Sequence, residues 1–139
     1  MSVLHQQIGQ WLGVPVPKTE QQMLEIVEHQ LPTSAINRIV ALGITRAEID
    51  GLVIPLRTLQ HRRSRREKLT VEESDRVFRV ARLLSQAESV YGSRERALAW
   101  LRRTHPRLRN RTPLEMAKTD TGSRIVEELL VQIDEGMFV

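Results

Sequence analysis

The segment of residues 56–68, LRTLQHRRSRREK, is rich in basic side chains. Its six cations are Arg57, Arg62, Arg63, Arg65, Arg66 and Lys68, and its one acid is Glu67. Arginine can bind guanine O6 and N7 with two hydrogen bonds, and Gln60 could pair with adenine in the same way. Thr58 or Ser64 could reach phosphates, and the remaining cations would follow the backbone. The segment therefore predicts a salt-dependent contact with nucleic acid, and the alternative is a basic helix that is merely solvated.

Two short helices are expected to position this segment. Residues 45–66 have the pattern of a helix that Thr45 can cap, a turn and a basic helix. This is the outline of a helix-turn-helix motif, whose second helix enters the major groove. Val53 stands where the motif usually starts its turn with a glycine at positive φ, a conformation that suits a β-branched residue poorly. We therefore expect an irregular turn or a weakened DNA contact.

Enzyme chemistry has little support in the sequence. The four histidines, His5, His29, His61 and His105, are far apart and none has the spacing of metal ligands. The chain has no cysteine, and its few glycines form no phosphate-binding loop. We expect a protein that is not an enzyme and that binds no metal and no cofactor.

The remaining pattern predicts an all-α protein. Thr70, followed by Glu73 three residues later, predicts a reciprocal capping box at the start of a long helix. Thr112, Pro113 and Glu115 predict a second capped helix nearer the C-terminus. No stretch alternates between apolar and polar residues over a useful length, so no strand is expected.

The organisation of the chain follows from these signals. We expect an N-terminal arm at residues 1–18, a DNA-binding and dimerisation region at residues 19–69, and a C-terminal domain at residues 70–139. The arm is expected to be extended and loosely held because prolines alternate in its last residues, VPVPK, with Trp11 and Leu12 as candidates to dock on the body of the protein. A partly disordered terminus is the alternative. A two-fold operator requires a two-fold protein, so we expect a homodimer held by apolar residues such as Ile36, Ile39 and Val40.

No membrane association is expected. No apolar run approaches the roughly 18 residues of a spanning helix. The N-terminal sequence MSVLHQQIGQWLGVPVPK also lacks the charged leader and unbroken apolar region of a signal peptide. We therefore expect a cytoplasmic protein.

The C-terminal end differs in charge from the basic segment. From residue 113 onward the acids are Glu115, Asp120, Glu127, Glu128, Asp134 and Glu135, against the bases Lys118 and Arg124. The last helix is expected to bury a stripe that ends at Ile133, and Gly136 is expected to end the helix. Met137 and Phe138 follow. Exposed apolar side chains at this position would give no advantage to a protein without a partner. The asymmetry predicts two surfaces with different partners, although a tail folded onto its own core is an alternative.

An ordered set of motifs in residues 97–139 resembles a known family. The set comprises a Trp-Leu helix (ALAWL), an HP break, RTPLE, an xTxxG turn and a final helix that ends in glycine and hydrophobic residues. With the preceding LTVEESDRVFRVARLL, it resembles the Xre/MbcA/ParS toxin-binding antitoxin domain over residues 45–139. Arg109-Asn110 departs from the family, in which Gly-Gly commonly precedes RTPLE.

The resemblance is greatest to the Xre antitoxins of RES–Xre toxin–antitoxin pairs. It implies a Cro/Xre-like helix-turn-helix half that dimerises and represses its own operon, and a small helical domain that binds a RES toxin. Such a toxin has a fold like that of ADP-ribosyltransferases and depletes NAD, and the antitoxin blocks its active-site entrance with the C-terminal segment. By this resemblance, toxin contact would fall to Ile133, Asp134, Glu135, Gly136, Met137, Phe138 and Val139. DNA contact would fall to Arg57, Thr58, His61, Arg62 and Arg63. The alternative function is a transcriptional regulator whose C-terminal domain only dimerises.

Overall fold

The computed structural model describes the backbone of residues 3–136 and the side chains of residues 6–136. Its helices are α1 (Val3–Leu12), α2 (Glu20–Glu28), α3 (Ser34–Ala41), α4 (Arg46–Leu52), α5 (Leu56–Ser64), α6 (Val71–Tyr91), α7 (Arg94–Leu101), α8 (Pro113–Met116) and α9 (Asp120–Asp134). A 3₁₀ turn at Pro106–Leu108 lies between α7 and α8. No strand occurs within the described range, and the predicted all-α fold is confirmed. None of the described helices is both long enough and apolar enough to cross a membrane.

The chain divides into two compact units, Met1–Ala81 and Arg82–Val139. The division falls inside α6, whereas the boundary expected from the sequence lies just before the start of that helix. The first unit contains α1 to α5 and the N-terminal half of α6, and its core is mainly aliphatic with one buried aromatic residue, Phe78. The second unit contains the remainder of α6 with α7, α8 and α9.

The N-terminal segment differs from the extended arm that its prolines suggested. Residues 3–12 form α1, which contacts α3 and fully buries Ile8 and Leu12. Only the proline-containing residues after α1 are non-helical. A side chain at Gly9 would place its Cβ 2.9 Å from the Cα of Val16, so this glycine lets the chain fold back over α1. The prediction of an extended arm is therefore wrong for residues 3–12.

The capping residues read from the sequence begin the helices as expected. The Oγ1 of Thr70 accepts the backbone N–H of Glu73 at 3.1 Å, and the Glu73 carboxylate accepts the N–H of Thr70 at 2.8 Å. Thr45 forms the same reciprocal arrangement with Glu48, and Thr112 forms it with Glu115. Each box satisfies two N–H groups that a helix start otherwise leaves without partners.

The apolar face of α3 packs inside its own unit. Ile36 is 2% exposed and Ile39 is fully buried, while Val40 is half-buried. Side chains that are enclosed within one chain cannot form the surface that joins two chains. The prediction that Ile36 and Ile39 hold a dimer together is therefore wrong.

The second unit packs α9 against α8. Gly122 makes this close approach possible, because a Cβ there would lie 2.2 Å from the backbone oxygen of Met116. The Thr119 hydroxyl caps α9 by accepting the N–H of Gly122 at 2.9 Å. Leu130 is fully buried on the inner face of α9, whereas Ile133 one turn later is only half-buried.

Candidate functional site

The turn between α4 and α5 forms without a positive φ. Val53, at the end of α4, has φ −117° and ψ −62°, so its β-branched side chain avoids the left-handed region. Val53 and Ile54 are both buried, which anchors the turn in the core of the first unit. Of the two expectations that the sequence left open, the irregular turn is the one observed.

Two side chains outside the turn hold it in place. Pro55 precedes α5 and gives it no side-chain cap. Instead, the Asp50 carboxylate, in α4, accepts the N–H of Leu56 at 2.9 Å. The Arg76 guanidinium, in α6, donates to the backbone oxygen of Val53 at 3.2 Å. The sequence analysis did not predict either contact, because each joins the turn to a residue of another helix and no local sequence pattern marks it.

One face of α5 is open to solvent and polar. An open surface depression there is lined by Arg57, Thr58, Gln60, His61 and Ser64. Leu59 lies on the opposite face and is buried, so it fixes the rotation of α5 about its axis. Four of the eight residues expected to contact DNA thus share one exposed helix face with Ser64, as a recognition helix requires.

Arg62 belongs to a different environment. Its Nε and Nη2 donate to the two carboxylate oxygens of Glu73, at 2.8 and 3.1 Å. The pair is partly enclosed, since the Arg62 side chain is 20% exposed and that of Glu73 is 9% exposed. The same Glu73 oxygen that accepts the Arg62 Nε also accepts the N–H of Thr70. Arg62 therefore links α5 to the capping box of α6.

The electrostatics of Glu73 agree with this geometry. Burial acts to raise the pKa of the Glu73 carboxyl, because the low-dielectric interior disfavours its charged form. Hydrogen bonds from Arg62 and from the backbone of Thr70 outweigh burial and lower the pKa below its usual value. In turn, the hydrogen bond to Glu73 raises the pKa of Arg62. Both groups remain charged in the folded protein at neutral pH.

The remaining arginines of the segment lie at or beyond the end of α5. The Arg63 guanidinium donates a hydrogen bond to the side-chain oxygen of Asn37, in α3. Arg65 follows the last residue of the helix, and Arg66 adopts the left-handed conformation with φ 57°. Arg63, Arg65 and Arg66 are all exposed.

The C-terminal end of α9 is acidic. Asp134 and Glu135 are exposed, and Gly136 has φ 75°, which ends the helix as the sequence predicted. Ile133 is half-buried, so the core stripe of α9 ends one turn earlier than expected. Met137, Phe138 and Val139, also expected to contact a toxin, lie outside the described residues. Among the side chains of residues 6–136, no three acidic or histidine groups converge in a way that could hold a metal ion.

Comparison with known proteins identifies the two units. A family model for the "antitoxin Xre-like helix-turn-helix domain" matches residues 22–82. A model for the "antitoxin Xre/MbcA/ParS C-terminal toxin-binding domain" matches residues 86–136. The chain is 31% identical over 131 residues to an antitoxin Xre of Photorhabdus laumondii, covering 91% of this chain and 88% of that protein. The chain belongs to the Xre antitoxin family.

Two other relatives of this Xre-family chain either match a shorter part of it or are less identical to it. An antitoxin Xre of Pseudomonas putida is 46% identical over 84 residues, which are 60% of this chain and 53% of that protein. The chain thus matches about half the length of the Pseudomonas protein. A Prs ADP-ribosylating antitoxin of a Sphingobium species is 26% identical over 124 residues, 81% of this chain and 78% of that protein. The resemblance read from the sequence motifs is confirmed.

Proposed function

We propose that this chain is an antitoxin that neutralises a RES-type, NAD-degrading toxin with its C-terminal segment and represses its own operon through α5. The family membership supports the antitoxin role. The choice of a RES toxin follows from the resemblance of the motifs in residues 97–139 to the Xre antitoxins of RES–Xre pairs. We propose residues 19–69 as the DNA-binding region and residues 70–139 as the toxin-binding region.

The observation that supports the DNA role most directly is the exposed polar face of α5. Arg57, Gln60 and His61 lie together on the side opposite the buried Leu59. In a helix-turn-helix, side chains placed in this way reach base edges from the major groove. We propose that Arg63, Arg65 and Arg66, beyond this face, follow the phosphate backbone, and that Arg62 acts indirectly by holding α5 against α6.

The toxin role is supported by the charge and position of the end of α9. Asp134 and Glu135 project into solvent next to a glycine that ends the helix, and the sequence continues with Met137 and Phe138. A toxin site that binds the phosphates of NAD needs cations, which would attract these carboxylates. In this proposal the apolar tip fills the entrance of the cleft.

We also propose that the chain is a homodimer, because a two-fold operator is read by a two-fold protein. The dimer surface must exclude Ile36 and Ile39, which are enclosed within one chain. Light scattering at micromolar concentration measures the assembly directly. A monomer in both the presence and the absence of DNA would contradict this part of the proposal.

Co-expression with a RES-type toxin, which the proposal expects to be encoded beside this gene, tests the function as a whole. An antitoxin restores growth and cellular NAD, and it co-purifies with the toxin. A plain regulator would bind the operator but would neither protect the cells nor retain the toxin on a column. The second result would replace the antitoxin role with regulation alone.

A further inference from the structure

A second basic surface lies in the C-terminal unit, away from the α5 segment in the sequence. The loop of residues 102–111, between α7 and α8, contains no acid and five arginines, which are Arg102, Arg103, Arg107, Arg109 and Arg111. We call this segment the arginine loop. The DNA contact proposed above uses the α5 segment and the toxin contact uses the end of α9, and no specific contact has been assigned to this loop.

Hydrogen bonds and a buried side chain hold the backbone of the arginine loop. The N–H of His105 donates to the oxygen of Arg111 at 3.1 Å, and the N–H of Asn110 donates to the oxygen of His105 at 3.0 Å. Leu108 is buried beneath the loop, and the His105 ring lies 4.9 Å from the ring of Trp100, between centroids. A loop held in this way loses little conformational freedom when it binds a ligand.

Two consecutive residues of the loop have unfavourable backbone conformations. Arg109 has φ 56° and Asn110 has φ 61°, both in the left-handed region. Glycine adopts this conformation freely and asparagine tolerates it, but for arginine it is strained. Arginine at a position where glycine would avoid the strain indicates that the arginine side chain has a function there.

Three arginines of the loop are available to a ligand. Arg103, Arg109 and Arg111 are exposed, and no acidic side chain within residues 6–136 pairs with any of them. Their guanidinium groups are planar donors that match the oxygens of a phosphate. The loop thus offers three exposed cations that are paired with no acidic side chain of the described residues.

We infer that the arginine loop binds the phosphate backbone of DNA, which gives the C-terminal unit a nucleic-acid contact of its own. The inference rests on the proposed function in one respect, the binding of duplex DNA through α5. Three exposed guanidinium groups in a segment without an acid suit a polyanion, whose phosphate oxygens they match as hydrogen-bond donors. An acidic patch on the toxin is the competing ligand, and the experiment below separates the two.

The loop offers a matched pair of substitutions for the full-length protein. Arg109→Gly and Asn110→Gly both relieve a left-handed residue, but only Arg109→Gly removes a cation. Arg124→Ala removes an exposed cation elsewhere in the same unit, where Arg124 pairs with Asp120 on the surface of α9. None of these variants is expected to lower the melting temperature substantially.

The measurement is the affinity for duplex DNA as a function of salt. Each lost phosphate contact reduces the slope of log affinity against log salt by about 0.9. We expect this reduction for Arg109→Gly, and about three times as much for Arg103→Ala/Arg109→Gly/Arg111→Ala, with no change for Asn110→Gly or Arg124→Ala. An unchanged slope in the triple variant would overturn the inference, as would loss of toxin binding with DNA binding intact.

A second arm separates this inference from the proposal for α5. Arg57→Ala/Gln60→Ala removes two side chains of the α5 face and is expected to abolish the preference for operator over random duplex. If that preference persists, the α5 proposal fails, whatever the arginine loop does. The loop proposal makes two demands. The Arg57→Ala/Gln60→Ala variant must still bind random duplex in a salt-dependent way, and adding the three loop substitutions to that variant must weaken this residual binding.

Discussion

The arginines of α5 look equivalent in the sequence but differ in the folded protein. Arg57 is exposed on the open face of the helix, whereas Arg62 is paired through two hydrogen bonds with the enclosed carboxylate of Glu73. Removing Arg57 removes a surface charge. Removing Arg62 leaves an acid enclosed without its partner, which is destabilising because the carboxylate is already largely desolvated.

This contrast gives a prediction for two single substitutions. We expect Arg57→Ala to weaken operator binding and to reduce the preference for operator over random duplex, with little change in the salt slope and an unchanged melting temperature. We expect Arg62→Ala to lower the free energy of unfolding by about 2 kcal/mol and to leave the salt slope unchanged. Chemical denaturation and DNA titrations at several salt concentrations measure both quantities. The reverse pattern, a stable Arg62→Ala protein with a reduced slope, would make Arg62 a phosphate contact.

The limits of sequence reasoning are visible at the same residues. The capping role of Glu73 was predictable because Thr70 lies three residues before it and a capping box is a local pattern. Its pairing with Arg62 was not, because the two lie eleven positions apart across a change of chain direction. The sequence predicted that the polar residues of α5 form an exposed face. It did not predict that Arg62, alone among the cations of α5, pairs with the enclosed carboxylate of Glu73.

At the scale of elements, the start of α5 depends on a carboxylate in α4. Asp50 accepts the N–H of Leu56, which Pro55 leaves without a local cap. We expect Asp50→Ala to destabilise the protein by about 1 kcal/mol, the usual effect of losing a cap, and to weaken operator binding. Asp50→Asn keeps an acceptor oxygen and serves as the matched control. Equal thermal melts for the two variants would show that the acceptor is dispensable.

The contact between α5 and α6 should also respond to pH. Because the pKa of Glu73 is lowered on folding, its contribution to stability is present at pH values above its unfolded pKa and is lost as the pH falls through its folded pKa. We expect the wild-type protein to lose stability below about pH 4.3, the usual glutamate pKa. Glu73→Gln is expected to be less stable at neutral pH and to show a smaller loss over this window. Urea titrations between pH 3 and 7 compare them, and parallel curves would contradict the assignment.

Helix boundaries were easier to predict than helix partners. Thr45, Thr70 and Thr112 start helices where their capping patterns said they would. In contrast, α1 forms beside a proline-rich stretch because Ile8 and Leu12 find a core to pack against, and tertiary packing of this kind overrides a local preference. An apolar helix face likewise does not tell whether it packs against its own chain or a second copy, which is why α3 was assigned to a dimer.

At the scale of the whole molecule, the residues proposed for the two functions belong to different compact units. The α5 face lies in Met1–Ala81, and the end of α9 lies in Arg82–Val139. The enclosed side chains of α9 end at Leu130, and Ile133 is the last that is half-buried. Because the enclosed stripe of α9 ends before Gly136, we expect that deletion of residues 136–139 separates toxin inhibition from folding.

Deletion of residues 136–139 tests this separation. We expect the truncated protein to keep its helical content and its operator affinity, and to protect cells from the toxin far less well. Each large apolar side chain fully buried in a toxin cleft would contribute about 1.5–3 kcal/mol, so loss of Met137 and Phe138 would weaken binding by orders of magnitude. Met137→Gln/Phe138→Gln keeps the length of the chain, and it is expected to lose most of the protection too. Circular dichroism, operator binding and growth during toxin co-expression are the measurements, and full protection by the truncated protein would mean that another surface of the C-terminal unit inhibits the toxin.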